Sequence, residues 1–466
     1  MSPTSDKINE ACGVFGISIA KGDSRDAAAS VYNALFALQH RGQESAGIAI
    51  RMPQGLRLHK GPGLVPDVIS ARDLERLKGA SAAIGHVRYA SDSADAAPMN
   101  TQPILVRHAS GTMALCYNGK LVNSKALRLE TETRGGIFQT SNDAELISYI
   151  IVREHLRTNT TEDAILNAMH YMIGAYSLVV LDDHKLIAAR DPNGFRPLCV
   201  GQVGDSYMFA SESCAFEALG GHLIREVEPG EIVVAENGEL KSYLCGIHAR
   251  SSLCMFEFIY FARPDSILDG VAVDLARRES GRCLARRSTT DADIVIGVPD
   301  SGMASAMGFA AESGIPYAVG LMKNRYIGRT FIQPTKDERE RSVRIKLNAI
   351  KAVVADRRVI LVDDSIVRGT TSERLVKLLR EAGAREVHMK ISSPPFLNPC
   401  YFGTAIPDRE ELAAYNRTES DICAMIGADS LQYLPCEDFH VMMKDLKHGF
   451  CDACFTGNYA VPVPAT

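Results

Sequence analysis

Apolar and polar positions alternate in two different ways along this chain. From about residue 12 to 250 the apolar runs are short, as at Ala46–Ile50, Tyr176–Leu181, Tyr207–Ala210 and Glu231–Glu236, and Gly, Asn and Asp turns break them. That texture predicts strands joined by tight turns. A helical period over Ala27–His40 puts Val31, Leu35 and Leu38 on one face, with Gly42 as the stop. This part reads as α+β with much antiparallel sheet. From about residue 255 the pattern becomes strand then helix: Ile294–Val298 then Met303–Glu312, and Val359–Val362 then Ser372–Ala382, with Gly383 as cap and Glu386–Ile391 as the next strand. Such alternation predicts an α/β region with a parallel, helix-covered sheet. The change of texture places a boundary near residue 250. No internal repeat is visible, and the Pro-rich tail Val461–Thr466 is the one low-complexity stretch.

At 466 residues, 46% hydrophobic and 23% charged, the chain has enough apolar material for two or three cores. A net charge of −5 gives no overall attraction to nucleic acid or anionic membrane, so a phosphate ligand must be held by local groups. No run of about 18 apolar residues occurs, and Met1–Glu10 lacks the apolar core of a signal peptide. The expected compartment is the cytoplasm, where the 12 cysteines are reduced and unusual ones are catalytic or metal-binding.

The string Val359-Ile360-Leu361-Val362-Asp363-Asp364-Ser365-Ile366-Val367-Arg368-Gly369-Thr370-Thr371-Ser372 carries the most chemistry. A buried parallel strand would deliver Asp363 and Asp364 at its carboxyl end, where open α/β sheets bind ligands. Residues 365–371 would wrap a phosphate, with the following helix N-terminus aimed at it. No Lys follows Gly369, so the nucleoside-triphosphate loop is absent and a phosphate monoester is the better guest. Paired acids can hold vicinal hydroxyls or Mg2+. The plainer alternative is a strand ending in a surface Asp-Asp turn. The string resembles the phosphoribosyl diphosphate (PRPP) signature of type I phosphoribosyltransferases. That resemblance implies Asp363 and Asp364 on the ribose hydroxyls or Mg2+, and Ser365, Arg368, Gly369, Thr370 and Thr371 on the 5′-phosphate.

The first half holds Ala11-Cys12-Gly13, Gln39-His40-Arg41-Gly42, Gly85-His86-Val87-Arg88-Tyr89, Tyr117-Asn118-Gly119 and Ser141-Asn142-Asp143. Together these resemble the class II glutamine amidotransferase domain, an αββα sandwich of the N-terminal nucleophile (Ntn) type. An α-amine titrates near about 8, close enough to neutrality to activate its own thiol. Cys12 has no free amine until residues 1–11 are removed, so a propeptide ending at Ala11 is expected. Attack on a carboxamide creates an oxyanion, which the Asn118 amide and the Gly119 N–H can stabilise. Arg88 suits the α-carboxylate of glutamine and Asp143 its α-ammonium. His86 is grouped with them as glutamine-binding; as bases, His86 and His40 are superfluous beside a free amine. The family pattern places His before Asn-Gly, where this chain has Tyr117, and a Gly-rich run where it has Ala90–Asp95.

Joined, the halves resemble the glutamine phosphoribosylpyrophosphate amidotransferase family from Cys12 to about Tyr459. The resemblance implies a propeptide at 1–11, a glutaminase domain at 12–250 and a phosphoribosyltransferase domain at 251–466. It also implies ammonia transfer to PRPP as the first committed step of purine synthesis, inhibition by purine nucleotides and a homotetramer. Ser301, in Gly297-Val298-Pro299-Asp300-Ser301-Gly302, falls on the family's metal position. Lys323 and Arg329 open a polar segment running to Lys346, with eight basic against three acidic residues, an excess of five positive charges. Such a flap could neutralise diphosphate and exclude water; an exposed basic surface or RNA patch is the alternative.

Cys451-Asp452-Ala453-Cys454 alone could bind zinc, be redox-active or do nothing. One branch of the family carries a 4Fe-4S cluster, and its ligands map onto Cys254, Cys400, Cys451 and Cys454, with Cys245 a competitor for Cys254. The other cysteines read as packing residues. Two rival functions stand beside the leading one: a PRPP-sensing regulator without catalysis, and an amidotransferase with another acceptor such as a hexose phosphate.

Overall fold

The computed structural model describes residues 12–89, 98–324, 347–406 and 408–464. Two antiparallel sheets form the first half. One has seven strands in the order His222–Glu226, Cys199–Val203, Ser206–Ala210, Gly13–Ser18, Ala82–Arg88, Ser45–Met52 and Gly55–Pro62. The other has six, in the order Glu239–Leu244, Glu231–Glu236, Leu186–Arg190, Gly174–Asp182, Gly111–Leu121 and Ile104–His108. Between them lies a core that includes Val14, Ile84, Cys116, Val179, Val200 and Val233. The outer face of the first sheet packs on the helix Ala27–Ala37 through Val31, Leu35 and Leu38. The outer face of the second packs on Asp143–His155 and Thr161–Met169 through Ile147, Ile151 and Ile165. Alternation along each strand therefore feeds two cores, which is why several strands look wholly apolar in sequence.

The second half is built on a parallel sheet in the order Ile294–Gly297, Arg358–Asp363, Glu386–Ile391 and Ser430–Tyr433. Its helices cover both faces. Thr370–Glu381 packs one side through Leu375, Val376 and Leu379, and Met303–Ser313 packs the other through Ala306 and Phe309. The helices Val273–Arg286 and Met303–Ser313 cross with their backbones touching. A Cβ on Gly281 would stand 1.8 Å from the Ser305 carbonyl oxygen, and one on Gly308 would stand 1.9 Å from that of Arg278, so both positions admit glycine alone.

Two elements depart from the sequence-based expectation. The period over Ala27–His40 ends as α-helix at Ala37, and Gln39–Arg41 forms a separate 3-10 turn that swings Arg41 into the interior. The helix expected from Ser372 starts at Thr370, with Gly369 at its N-cap at φ +92°, a left-handed value that glycine adopts without strain. Some expected sites lie outside the described residues: the expected propeptide 1–11, the run Ala90–Asp95, and Arg329 with the rest of the basic segment after residue 324. Leu321–Lys323 and Leu347–Ala349 pair as antiparallel strands.

Candidate functional site

Cys12 lies immediately before the central strand Gly13–Ser18, and the Gly13–Val87 pairing brings it alongside Arg88. Its thiol donates to the Tyr89 carbonyl at 3.9 Å. It is near enough to Cys116 and Tyr117 to add to the rise that burial imposes on their pKa values. The strand Gly111–Leu121 of the other sheet therefore faces the nucleophile, carrying Asn118 and Gly119. Asn118 is 1% exposed, yet neither its amide nitrogen nor its amide oxygen has a hydrogen-bond partner. A buried, unpaired amide costs free energy unless something comes to meet it.

What holds that amide in place is the residue before it. The Tyr117 N–H donates to Gln102 Oε1 at 2.7 Å, and the Tyr117 carbonyl accepts from His86 Nε2 at 3.0 Å and Gln102 Nε2 at 3.3 Å. The Tyr117 hydroxyl donates to Asp143 Oδ2 at 3.5 Å, and the Leu121 N–H to the same oxygen at 3.0 Å. Tyr117, the departure from the family pattern, thus sits in a continuous strand and ties it to Asp143. His86 is fully buried, and burial pushes its imidazole down to about 3, with Arg88 and Lys60 adding to the fall and the Tyr117 carbonyl opposing it. It is a neutral ring bonded to the strand carbonyl, which separates it from Arg88 and Asp143, the pair with charges to offer an amino acid. His40, the other histidine weighed as a base, bonds Glu212 Oε1 at 2.7 Å.

In the second half the apolar residues Val359–Val362 are all fully buried, and the strand ends at Asp363, as its composition requires. Asp363 and Asp364 are 2% and 5% exposed. Asp363 Oδ1 accepts the Asp364 N–H at 2.9 Å, and Asp364 Oδ1 accepts the Ser365 hydroxyl at 2.8 Å, while Asp364 Oδ2 is buried with no partner. The loop containing Ser301 lies against the same strand end, since the Val298 N–H donates to the Val362 carbonyl at 2.9 Å, and the Ser301 hydroxyl is likewise buried and unpaired. Lys323 donates to Asp300 on that loop at 2.7 Å. Thr370 and Thr371 occupy the first turn of the helix, so their N–H groups face the Ser365–Gly369 turn. Arg368 is turned to Glu411 Oε2 at 2.6 Å.

Cys254, Cys400, Cys451 and Cys454 line a single cavity together with Phe195, Phe256, Phe402 and Tyr459. Parallel pairing of Leu253–Cys254 with Phe450–Cys451 sets Cys254 beside Cys451. Burial pushes the Cys254 thiol up to about 11 and the Cys451 and Cys454 thiols higher, while the Arg196 guanidinium pulls Cys254 the other way. Cys245 is elsewhere, packed at the second sheet's outer core. Among the described residues no three His, Cys, Asp or Glu side chains converge to hold a single metal ion.

Sequence reasoning overlooked a set of buried charges between the halves: Arg41, Arg196, Glu212 and Glu257, all with fully covered side chains. The signal was present, because Glu257 is the one charge in the apolar run Met255–Phe261.

Comparison with known proteins matches residues 86–218 to a glutamine amidotransferase domain and residues 276–392 to a phosphoribosyl transferase domain. Amidophosphoribosyltransferases of Archaeoglobus fulgidus and Bacillus subtilis are 47% and 46% identical over 97% and 98% of this chain and 98% and 95% of their own. The solved glutamine PRPP amidotransferase of B. subtilis, complexed with ADP and GMP, superposes with a TM-score of 0.89 at 45% identity, covering 97% of this chain and 98% of that one.

Proposed function

Because the chain belongs to the amidophosphoribosyltransferase family, we propose a residue-level division of labour for the reaction that defines it. The reaction is glutamine-dependent: glutamine, water and PRPP yield 5-phosphoribosylamine, glutamate and diphosphate, the first step of purine biosynthesis. In our reading residues 12–250 are the glutaminase, residues 251–466 the phosphoribosyltransferase with the cysteine-lined segment, and residues 1–11 a propeptide. The observation that carries it is the unpaired amide of Asn118, buried opposite Cys12.

Cys12, once N-terminal, loses its thiol proton to its own α-amine and attacks the glutamine carboxamide. Asn118 Nδ2 and the Gly119 N–H hold the resulting oxyanion; the α-ammonium returns its proton to the departing nitrogen, so collapse expels ammonia and leaves a thioester that water hydrolyses to glutamate. Arg88 and Asp143 orient the amino acid; His86 acts on them indirectly, by fixing the Tyr117 carbonyl. Ammonia then attacks C1 of PRPP, and diphosphate leaves. Asp363 and Asp364 bind the ribose hydroxyls, the Ser365–Thr371 turn holds the 5′-phosphate, and Lys323 and Arg329 meet the diphosphate.

Mg2+ fits the pair of unpaired oxygens, Asp364 Oδ2 and Ser301 Oγ, because Mg2+ takes few protein ligands and leaves the rest to water and phosphate. When bound it would neutralise diphosphate charge. A 4Fe-4S cluster fits the four-cysteine cavity: each thiolate of a cubane serves a different iron, so the sulfurs need not converge on one point. It would cross-link the segments around Cys254, Cys400 and Cys451 without moving electrons. We further propose a cytoplasmic homotetramer inhibited by purine nucleotides, which the nucleotide complex of the B. subtilis enzyme favours for the last point.

Glutamine-dependent diphosphate release from PRPP in the presence of Mg2+ tests the reading, and its absence would overturn it. Four irons per chain and a mature mass beginning at Cys12 are expected from anaerobically purified protein; a zinc-only protein would remove the cluster.

A further inference from the structure

A mature N-terminal nucleophile has a mechanical difficulty. With residues 1–11 gone, Cys12 precedes the first laddered residue of its strand, and chain ends fray unless tied down. The Arg41 side chain supplies a tie. Its Nε donates to the Cys12 carbonyl at 3.2 Å. Its other nitrogens belong to carboxylates: Nη1 donates to Glu212 Oε1 at 2.5 Å, and Nη2 to Glu257 Oε1 at 2.8 Å. Burial opposes the Arg41 charge, but Glu257 and Glu212 outweigh it and hold the guanidinium firmly protonated.

Glu257 comes from the other half of the chain and does not act alone. It also accepts from Arg196 Nη1 at 3.3 Å. Arg196 in turn donates to the Phe402 carbonyl at 2.9 Å and to the Thr404 hydroxyl at 3.0 Å. Between those two residues, Gly403 lies on the oxyanion strand: at φ +99°, a Cβ there would stand 3.0 Å from the Gly119 carbonyl carbon. The backbone around Glu257 is itself held, since Glu257–Phe261 is a π-helical turn whose Phe258 carbonyl accepts from Arg277 Nε at 2.6 Å. Two arginines and two glutamates balance in charge, so the buried set is neutral as a whole.

We propose that Glu257 is a positioning residue for the glutaminase reaction. Through Arg41 it fixes the backbone of the nucleophile, and through Arg196 and Gly403 it braces the strand that carries the oxyanion donors, so one carboxylate from the phosphoribosyltransferase half sets the separation of the two catalytic elements. The inference rests on the Cys12 assignment made above.

Glu257→Gln preserves shape and removes the charge that both arginines share. Loss of alignment between nucleophile and oxyanion donors is expected to lower the glutamine-dependent kcat by about a hundredfold. KM for glutamine should stay near wild type, because Arg88 and Asp143 meet the substrate. Ammonia-dependent amination of PRPP should persist, and alkylation of Cys12 by iodoacetamide should slow in step with kcat. Glu257→Asp, which keeps the charge on a shorter stem, should fall between the two and provides the test if the glutamine variant does not fold. Wild-type glutamine turnover, an unchanged alkylation rate, or equal loss of glutamine- and ammonia-dependent activity would each overturn the proposal. A Cys12→Ser control separates the two claims: if it retains glutamine turnover the Cys12 assignment fails, and if it does not, a silent Glu257→Gln condemns only the positioning role.

Discussion

Replacing Asn118 with alanine should damage catalysis while sparing the fold. Most buried polar side chains are hydrogen-bonded, so truncating one breaks a ground-state bond and lowers stability and activity together. Asn118 is different, because both its amide atoms are buried without partners. Truncation relieves an unpaired buried amide, worth about 1–3 kcal/mol, and loses packing of about 1–2 kcal/mol. These offset, so unfolding free energy should fall by no more than about 1 kcal/mol and rise by no more than about 2 kcal/mol. The transition state keeps no such balance. Loss of one preorganised oxyanion donor costs about 2.7–4 kcal/mol, which is a factor of about 10²–10³ in glutamine-dependent kcat. Steady-state assays with glutamine and with ammonium, beside urea unfolding, measure all three quantities. A variant with normal glutamine turnover would refute the oxyanion role. So would one destabilised by several kcal/mol with both activities lost together, since that is the signature of a structural amide.

Asp364→Asn should raise KM for PRPP by about ten- to a hundredfold, from loss of charge-assisted bonds worth about 1.5–3 kcal/mol, while Cys12 alkylation stays at the wild-type rate; unchanged KM would remove Asp364 from the ribose site. His86 is neutral when folded, with a pKa near 3 against the ordinary 6.5, so the unfolded chain binds the extra proton between those values. The stability this gives is complete above about pH 6.5 and is lost as pH falls toward 3, at up to about 1.4 kcal/mol per pH unit. His86→Gln, which can still donate to the Tyr117 carbonyl, should show a flatter acid limb in unfolding experiments, and an identical limb would contradict the buried neutral ring. Cys451→Ser should abolish iron binding and lower the thermal midpoint of the anaerobic protein; full iron content would exclude that cysteine as a ligand.

The parts of the fold that could be read from sequence are those with a strong local cause. Glu386–Ile391 and Glu231–Glu236 form strands with the expected limits because apolar runs bounded by turn residues leave little choice. The Asp363–Asp364 pair was legible because the chemistry demands particular residue types at a strand's carboxyl end, whereas the grouping of Cys254 and Cys400 with Cys451 and Cys454 came only from the family resemblance, since the C-x-x-C alone left zinc, redox and no role open. The 3-10 turn at Gln39–Arg41 was not, because its cause is distant: the helix stops so that Arg41 can reach carboxylates 171 and 216 residues away. Gln102 was equally hidden, since its role is to grip the Tyr117 backbone from a neighbouring segment. Local pattern fixes elements; a buried charge network spanning two halves exists only once they meet.

The most direct trial of the whole account is diphosphate release from PRPP by a Cys12→Ser variant, measured in parallel with glutamine and with ammonium as nitrogen source. Abolished turnover with glutamine alongside substantial turnover with ammonium is the expected result, because a hydroxyl replaces the thiol while Asp363 and Asp364 are untouched. Retained turnover with glutamine, or loss of both activities in equal measure in folded protein, would contradict a thiol-driven glutaminase feeding a separate sugar-phosphate site.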